Sequence, residues 1–336
     1  MRKGLVHSIR LARPERSLNF VRFVLRYGRM ANDEVQEPAA HLVFDRVALR
    51  KRQRRAQADT PETFLLDPVA GDLLDRLDAV TRRFEIAADI GTPSAAVADA
   101  LARHARVGRV IALRALPLPD GGNGVAPVVG DEEALPFRDG SLDLAVSVLA
   151  LQFVNDLPGT LTQIRRALRP DGLFLAAMLG GDTLTELRQA FTIADAEGSG
   201  GVSPRVAPFA DVRALGGLLQ RAGFALPVAD IDRVVVRYDT PFALMSDLRR
   251  MAATNVLIDR RRAPLLRHVV GRMADVYAQR FADADGRLRA TFDVIWLSGW
   301  APHASQQQPL RPGSAKSRLA DALGTQEQST GEKAGG

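Results

Sequence analysis

The sequence predicts an α/β fold in which a twisted, mainly parallel β-sheet carries helices on both faces. Four short runs are mostly apolar without strict alternation, which is typical of parallel strands covered on both sides. These runs span 84–90, 107–113, 142–151 and 173–179. Segments with apolar residues at helical spacing separate them, for example 95–105 and 157–168. Because buried strands and helices alternate in this way, we expect strand–helix–strand units joined into one sheet.

The middle of the chain, 128–182, contains the clearest of these units. A short apolar run ends on three consecutive acids, Asp131, Glu132 and Glu133, and a turn leads into the next buried strand. A helix follows and stops at a base, a proline and a glycine. Open α/β sheets bind ligands beyond the carboxyl ends of their strands. We therefore favour a ligand site at these carboxylates over the alternative, a solvated acidic turn.

The rest of the pattern predicts further helices and two more strands. Helices are expected over 44–56, 60–80, 183–194, 210–222, 242–253 and 263–281, and strands over 231–238 and 288–297. The last strand is expected to run antiparallel, and the two helices before it to form an insertion that covers the site. The first helix is rich in Arg and Lys, and its pattern alone favours a solvated face.

Composition excludes several classes of site. The chain has 336 residues, 46% of them hydrophobic and 25% charged, which is enough for one large core with additions. It has no cysteine, so disulfides, thiolate zinc sites and cysteine nucleophiles are excluded. Its five histidines form no recognisable iron or zinc motif, and we predict no metal site. No apolar run approaches the roughly 18 residues of a membrane span.

The first 43 residues are interpreted as a basic N-terminal extension. Residues 1–29 hold eight Arg or Lys against one acid, and the composition turns acidic at Met30. Three readings remain open: a misplaced start with translation from Met30, a mitochondrial transit peptide, or a basic helix resting on an anionic membrane. Much of the net charge of +6 belongs to this extension, so we infer no nucleic-acid partner. One folded domain is expected over 44–304 and a disordered tail over 305–336.

A strand, a glycine-containing loop and a helix follow one another at 84–105. The strand ends near Asp89 and the loop contains Gly91 and Thr92. A glycine lets the backbone approach a ligand closely, and the N-terminus of the helix offers free N–H groups. This arrangement predicts a nucleotide-like ligand, although as a motif alone it is weakly specific.

Three blocks of residues together resemble a known family. They are Asp-x-x-x-Leu-Pro-Phe at 131–137, Ser-x-Asp at 141–143 and Arg-x-Leu-x-Pro-x-Gly at 166–172. The set resembles the second half of a class I S-adenosylmethionine (SAM)-dependent methyltransferase. The resemblance implies a Rossmann-like fold with SAM lying over Gly91 and its adenine near Asp131. The cofactor-binding residues it implies are Asp89, Gly91, Thr92, Asp131, Glu132 and Leu149.

The chain departs from this family at two points. Pro93 and Ala95 stand where the family's later glycines would be, and Arg114 stands near the end of the second strand, where an acid usually holds the ribose hydroxyls. Asp120 is the nearest remaining acid. The resemblance therefore implies weak or lost SAM binding, and replacing Pro93 by Gly together with Arg114 by Asp is expected to strengthen it.

A closer resemblance covers most of the chain from residue 44 to about 314. Its blocks include Phe-Asp-Arg at 44–46, Gly-Gly-Asp-Thr-Leu at 180–184 and Gly-Trp at 299–300. They resemble the complex I assembly factor 5 branch and its bacterial relatives. This implies a protein substrate, a complex I subunit modified at an arginine. Two alternatives stay open: a small-molecule or carrier-protein methyltransferase, and a non-catalytic assembly chaperone with a degenerate SAM site.

Substrate or partner residues follow from the same blocks and from the sheet edge. The candidates are Lys51, Gln152, Asn155, Asp182, Arg188, Trp300 and His303. The alternatives are structural: helix capping by Asn155 or its neighbour, a pair on one helix for Arg188, and core packing for Trp300. No catalytic residue is assigned. The Ala- and Arg-rich composition favours a bacterial cytoplasmic protein, with the mitochondrial matrix as the alternative.

The basic extension generates a prediction. Deletion of residues 1–29 is expected to leave thermal stability and solubility unchanged, because the family resemblance begins only at residue 44. Thermal unfolding of the shortened and full-length proteins measures this. A large loss of folded protein on deletion would show that the extension packs on the domain.

Overall fold

The computed structural model describes residues 42–117, 124–198, 200–306 and 324–325. The expectations for residues 1–41, for most of the tail and for Asp120 therefore lie outside the described residues. The elements below all belong to one compact unit that begins at Val43. Among the described helices, none is long and apolar enough to cross a membrane.

Eight α-helices and seven strands are described, in this order along the chain: α1 (Arg46–Ala58), α2 (Leu66–Asp78), β1 (Phe84–Ile90), α3 (Ala96–Arg103), β2 (Val107–Arg114), β3 (Val125–Val129), β4 (Leu142–Val148), α4 (Leu157–Ala167), β5 (Leu168–Gly180), α5 (Thr185–Gly198), α6 (Val212–Arg221), β6 (Ala225–Tyr238), α7 (Pro241–Arg250), α8 (Arg267–Phe281) and β7 (Leu288–Trp300). A 3₁₀ helix, Leu151–Phe153, follows β4.

The seven strands form one sheet in the order β3-β2-β1-β4-β5-β7-β6. The five strands β1 to β5 are parallel, and β7 runs antiparallel to both of its neighbours, β5 and β6. This confirms the predicted mainly parallel sheet and its antiparallel last strand. Helices α7 and α8 lie between β6 and β7 in the chain, as the predicted insertion does.

Each face of the sheet carries its own apolar core. One core includes α2, α3, α5 and α8, and the other includes α4 and α6. In β1, Ala87 belongs to the first core and Ala88 to the second, and both are 0% exposed. Because both faces of the central strands are buried, these strands lack the polar–apolar alternation of a half-exposed sheet.

A third, smaller cluster joins the start of the domain to the loop after α7. Phe44 forms an isolated antiparallel bridge with Leu257. The backbone N–H of Asp45 donates to the carbonyl of Val256 at 2.8 Å. One leucine of α1 packs with these apolar residues. Helix α1 and the segment 250–257 are thus fixed to each other, and we call them together the cap.

A buried carboxylate links the three strands at the antiparallel side of the sheet. Asp293 in β7 is 1% exposed and accepts hydrogen bonds from Nε and Nη2 of Arg233 in β6 at 2.7 and 2.8 Å. The backbone N–H of Asp182, just after β5, donates to the same carboxylate at 2.8 Å. Burial alone would raise the pKa of Asp293, but Arg233 and the Asp182 N–H outweigh it and hold the pKa below its ordinary 3.8.

Replacing Asp293 by Asn tests this link. The variant is expected to lose about 1–3 kcal/mol of unfolding free energy at pH 7, because a buried acceptor of three hydrogen bonds becomes a poorer one. Since the folded-state pKa is lowered, the aspartate stabilises the protein above its unfolded pKa and loses this contribution as the pH falls through the folded value.

Urea unfolding of the wild type and the Asp293→Asn variant at about pH 7 and pH 3 measures both effects. The difference between the two proteins should shrink at the lower pH. An equal difference at both pH values, or none at pH 7, would contradict the stabilising role of the ionised carboxylate.

Candidate ligand-binding cleft

A cleft of about 370 Å³ lies at the carboxyl-end edge of the parallel strands. This volume falls within the ~300–1,000 Å³ of small-molecule sites. The sheet contributes the ends of β1, β2, β4 and β5, through Gly91, Arg114, Leu149 and Leu179. The cap and the start of α2 contribute the opposite wall. The glycine-containing loop after β1, which the sequence predicted as part of a ligand site, therefore borders the cleft.

Gly91 cannot be replaced by another residue without a clash. Its φ is +75°, in the left-handed region that favours glycine. An added Cβ would lie 2.7 Å from Cγ of Glu132 and 3.1 Å from Cβ of Ala150. The absence of a side chain here makes room for Glu132 and Ala150, which pack against the loop where it borders the cleft.

Asp89 and Thr92 lie behind this loop and are both 0% exposed. The hydroxyl of Thr92 donates to Asp89 Oδ1 at 2.5 Å and accepts from the backbone N–H of Val148 at 3.0 Å. These bonds connect the end of β1 to the end of β4. Neither residue lines the cleft, so their placement gives them a role in shaping the loop.

Arg114 differs from the sequence expectation in its orientation. Its Nη2 donates to Asp89 Oδ2 at 2.7 Å and to the carbonyl of Ser94 at 2.9 Å. Arg114 is 7% exposed, so the pair is buried. Burial raises the pKa of Asp89, while Arg114 and Thr92 oppose that rise. The guanidinium that we expected to face a ribose is instead committed to Asp89 and the loop backbone.

The three acids after β3 bind two arginines of α1. Nη2 of Arg46 donates to Asp131 Oδ1 and to Glu132 Oε2, both at 2.6 Å. Arg50 also donates to Glu132 through Nη2. Arg46 reaches Glu133 Oε1 at 3.3 Å. Glu132 is buried and lines the cleft, whereas the side chain of Asp131 is 45% exposed and lies outside it.

These ion pairs also set the charge of Asp131. Partial burial would raise its pKa, but the backbone N–H of Glu133 and the guanidinium groups of Arg46 and Arg50 hold the pKa below its ordinary value. An adenine amino group at Asp131 or Glu132, as predicted from sequence, would have to share these carboxylates with the cap.

Leu149 and Gln152 form the β4 side of the cleft. Leu149 has a φ of +52°, which is uncommon for a residue with a side chain and marks local backbone strain. Gln152 is 7% exposed, and its Nε2 donates to the carbonyl of Leu149 at 2.8 Å. Its Oε1 is buried and has no partner in the described structure. A buried acceptor without a donor points to a ligand or water in the cleft.

Asn155 and Asp156 have structural partners. Oδ1 of Asn155 accepts from the backbone N–H groups of Val43 and Phe44 at 2.9 and 2.8 Å. Asp156 caps α4 by accepting from the N–H of Gly159 at 2.8 Å. The capping alternative applies to Asp156, while Asn155 anchors the segment that leads into the cap.

Asp182 and Arg188 follow β5 but do not line the cleft. Asp182 accepts from Arg233 Nη2 at 2.8 Å. Arg188 donates to the carbonyl of Ala207 at 3.1 Å, which ties α5 to the loop before α6. Lys51 is exposed on the cap.

Trp300 and His303 lie at the opposite edge of the sheet from the cleft. Trp300 pairs with Leu173 near the start of β5, whereas the cleft borders Leu179 near its end. Because β7 is antiparallel to β5, its last residue cannot reach the carboxyl-end edge. His303 is exposed and bonds to Ser305 Oγ at 2.7 Å. The geometry separates these two candidates from the cleft and from any lid over it.

Sequence reasoning missed the arginines that hold the cap. Arg46 and Arg50 are four residues apart, so they lie on one face of α1. That spacing was visible, but their carboxylate partners are more than 80 residues away in the chain. Glu62 and Arg250, which form an ion pair beside the cleft, were also missed. In the described part of the chain, no group of three or more His, Asp or Glu residues is placed to hold a metal ion.

Comparison with known proteins agrees with this architecture. A family model described as "Methyltransferase domain" matches residues 86–176. The mitochondrial arginine-hydroxylase NDUFAF5 of Mus musculus is 38% identical over 292 residues, which cover 83% of this chain and 83% of that protein. The chain belongs to the NDUFAF5 arginine-hydroxylase family. This confirms the resemblance inferred from the blocks at 44–46 and 180–184.

The chain is also similar in sequence to methyltransferases of other names. The malonyl-[acyl-carrier protein] O-methyltransferase of Xylella fastidiosa is 34% identical to this chain over 270 residues, 77% of this chain and 89% of that protein. Among solved structures, the YcgJ protein of Bacillus subtilis matches with a TM-score of 0.49 at 16% identity, covering 69% of this chain and 98% of that one.

The cleft of this NDUFAF5-family chain fits SAM in part. SAM carries a positive sulfonium and an amine that donates hydrogen bonds, and the free Oε1 of Gln152 is a matching acceptor in the cleft, whereas Glu132 already accepts from Arg46 and Arg50. Gly91 lines the cleft at the end of β1, where SAM is expected to lie. No described acid stands at the end of β2 to receive a ribose diol, since Arg114 occupies that place.

The Asp89–Arg114 ion pair changes the effect expected of replacing Arg114 by Asp, which the sequence alone suggested would strengthen SAM binding. Replacing Arg114 by Asp would leave Asp89 buried without its partner and beside a second carboxylate. We now expect Arg114→Asp to lower the unfolding free energy by about 3–5 kcal/mol, as the loss of one member of a buried pair does. It should not tighten SAM binding.

Denaturant unfolding and SAM titration of the Arg114→Asp variant test this. The control is the double variant Asp89→Leu, Arg114→Met, which removes both charges and should retain much more of the stability. A stable single variant that binds SAM more tightly than the wild type would show that Arg114 is not needed by Asp89.

Proposed function

We propose that this chain binds SAM in the cleft and takes part in modifying an arginine side chain of a protein substrate. The observation that carries the cofactor half is the buried, unpartnered Oε1 of Gln152, which lies in the same cleft as the glycine loop at Gly91. The strained backbone at Leu149 lines the same cleft. Such strain is found where a site holds a ligand in a fixed geometry.

Each of these residues would have a defined part in binding. Gly91 presents backbone to the ligand, and Leu149 supplies an apolar wall. Gln152 Oε1 accepts a hydrogen bond from an amine, while Glu132, bound by Arg46 and Arg50, holds the wall of the cleft beside the ligand. SAM, when bound, supplies an electrophilic carbon on a sulfonium. The chain's own groups bind and orient the reactants and exclude water under the cap.

The substrate half of the proposal comes from the relatives. The related mouse protein is named an arginine-hydroxylase, and we extend arginine as the target to this chain. On the resemblance to the complex I assembly factor branch, we propose that the substrate is a subunit of respiratory complex I. The exposed Lys51 on the cap is our candidate for contact with that partner.

The cellular location is proposed from the composition of the chain and from the names of its relatives. We propose the bacterial cytoplasm, with the mitochondrial matrix as the alternative because the NDUFAF5 relatives are named mitochondrial. Peripheral membrane contact through the basic extension stays a hypothesis, since residues 1–41 lie outside the described structure.

Mass spectrometry of complex I subunits tests the substrate proposal. In a strain that lacks this protein, one arginine of one subunit should lose its modification, and expression of the wild-type chain should restore it. Expression of a cleft variant, Gln152→Leu, should not restore it. A methylated acyl carrier protein that disappears instead would favour the carrier-protein activity. Complex I that assembles fully with the Gln152→Leu variant, with no arginine modified in any strain, would favour the non-catalytic chaperone.

The cofactor proposal is tested by calorimetric titration with SAM. The wild type should bind weakly because no acid is described at the end of β2. Gln152→Leu should weaken binding a further ten- to hundred-fold or so, the loss of one hydrogen bond to a charged group. Its stability should change by only about 1 kcal/mol, since the substitution removes an unsatisfied buried oxygen along with one hydrogen bond.

The matched control is Gln189→Leu, the same substitution on an exposed position of α5 outside the cleft. It should leave SAM binding unchanged. Equal affinities for the wild type and Gln152→Leu would show that Gln152 does not face the cofactor.

A further inference from the structure

The cap carries a group of basic side chains that come from two distant parts of the chain. Its members, which we call the basic patch, are Lys51, Arg52, Arg54 and Arg55 of α1 and Arg260 and Arg262 of the segment just after the cap. Two hydrogen bonds hold these parts together. Arg52 Nη1 donates to the carbonyl of Asn255, and the backbone N–H of Ile258 donates to the carbonyl of Val43 at 3.0 Å.

The fold leaves most of the positive charge of the basic patch without a carboxylate. Arg260 Nη2 donates to Asp45 Oδ2 at 2.7 Å, and the other five members form no ion pair in the described part of the chain. Lys51 and Arg55 are four residues apart on α1, so they lie side by side, where like charges destabilise a helix. Like charges therefore gather here at a cost to the fold, and such a surface attracts an anionic partner.

Arg52 lies in the middle of the basic patch. Partial burial and the charges of Arg260 and Arg55 lower the pKa of Arg52 below its ordinary value, and Asp45 opposes only part of this effect. Arg262 also interacts with Asp45, whose carboxylate is already bonded to Arg260. One carboxylate thus serves three guanidinium groups, and carboxylates from a partner would complete their interactions.

The basic patch adjoins both the cleft and exposed apolar side chains. The same helix α1 lines the cleft through Gln53 and Gln57, which lie between and beside the basic residues in the chain. Val47, one turn before Lys51, is 67% exposed, and Val43 is 41% exposed. Arginines next to apolar side chains are typical of protein–protein interfaces. A protein whose arginine enters the cleft would cross this surface at the rim.

The composition of the basic patch favours a protein partner over a membrane. All members except Lys51 are arginines, whose planar guanidinium group pairs with a carboxylate through two hydrogen bonds. A helix that rests in a membrane surface needs an apolar face. Of the residues of α1, all of which the structure describes, Val47 alone is large, apolar and exposed.

We propose that the basic patch binds an acidic segment of the protein substrate, and that this segment flanks the arginine that enters the cleft. The inference rests on the proposed function, from which it takes a protein substrate with a target arginine. It adds the chemistry of the substrate around that arginine. Carboxylates of the substrate cross the rim of the cleft and pair with the guanidinium groups of the cap, so that a cationic target can approach a cationic surface.

Peptide binding to the full chain, followed by fluorescence anisotropy, tests the proposal. The probe is a labelled peptide in which a run of glutamates precedes a single arginine, and the comparison peptide has glutamine at every glutamate position. The wild type should bind the glutamate peptide about tenfold more tightly, as several partly exposed ion pairs together allow. Added salt should reduce this preference, because exposed charges are screened.

The double variant Arg55→Gln, Arg262→Gln removes one exposed cation from each half of the basic patch. It should bind the glutamate peptide about three- to tenfold more weakly and the glutamine peptide as the wild type does. The matched control is Arg213→Gln, Arg221→Gln. Both of its arginines are exposed on α6, outside the cleft, and form no ion pair in the described structure. The control has the same net charge as the patch variant and should bind both peptides as the wild type does.

Thermal unfolding of each variant is recorded first, and all should keep the wild-type melting temperature because the replaced side chains are exposed. A preference for the glutamate peptide that only the patch variant loses supports the proposal. The peptides are measured without SAM, so if SAM does not bind, the cofactor proposal fails alone.

Three results would overturn the basic patch as a site for an acidic protein segment. They are equal affinities of the wild type for the two peptides, an equal loss in the control variant, and binding of phosphatidylglycerol vesicles through the patch without binding of the glutamate peptide. The last result would assign this surface to a membrane. SAM binding in any of these cases leaves the cofactor proposal standing.

Discussion

The interaction on which the cleft depends is the binding of Glu132 by two arginines of α1. Glu132 is 4% exposed, and Arg46 and Arg50 both donate to its carboxylate. The same side chain stands against Gly91, where it leaves no room for a Cβ. One carboxylate thus sets both the position of the cap and the shape of the loop at the end of β1. The apolar cluster of the cap is small. The ion pairs of Arg46 and Arg50 with the carboxylates after β3 therefore also hold α1 against the domain.

The two edges of the sheet are used differently. At the carboxyl-end edge, Gly91 and Leu149 have positive φ angles. The Oε1 of Gln152 there is buried and accepts no hydrogen bond in the described structure, so it can accept one from a ligand. At the other edge several carboxylates are satisfied by groups of the chain itself. Asp143, for example, accepts from the backbone N–H of Ile86 at 2.9 Å and from Arg169 at 3.0 Å. The contrast is the reason that we assign function to the first edge and stability to the second.

Much of the fold could be predicted from the sequence because the parallel strands are buried on both faces. Their apolar runs are long and their loops contain glycine or proline. The start of β6 was placed too late, at 231 instead of 225, since this edge strand includes Pro227 and half-exposed residues such as Leu226. Propensity is weakest at such an edge, where the strand packs on only one neighbour.

The site was harder to predict because its chemistry depends on long-range pairing. The carboxylates at 131–133 were located correctly at the sheet edge, but their binding to Arg46 and Arg50 has no local signal. Arg114 was expected only as a replacement for the ribose-binding acid, and its pairing with Asp89, 25 residues earlier in the chain, has no local signal. Trp300 was predicted to lie near the site. The predicted antiparallel direction of β7 already implied that its last residue, Trp300, lies at the opposite edge of the sheet from the cleft.

Amide hydrogen exchange with and without millimolar SAM shows whether SAM binds in the cleft, because it locates a ligand even when the affinity is low. We predict slower exchange in the loop 91–95, in 149–153 and in α1, with no change in 168–173 or 299–306 at the opposite edge. Protection confined to the opposite edge, or no protection anywhere at a SAM concentration that binds by calorimetry, would contradict a SAM site in the cleft beneath the cap.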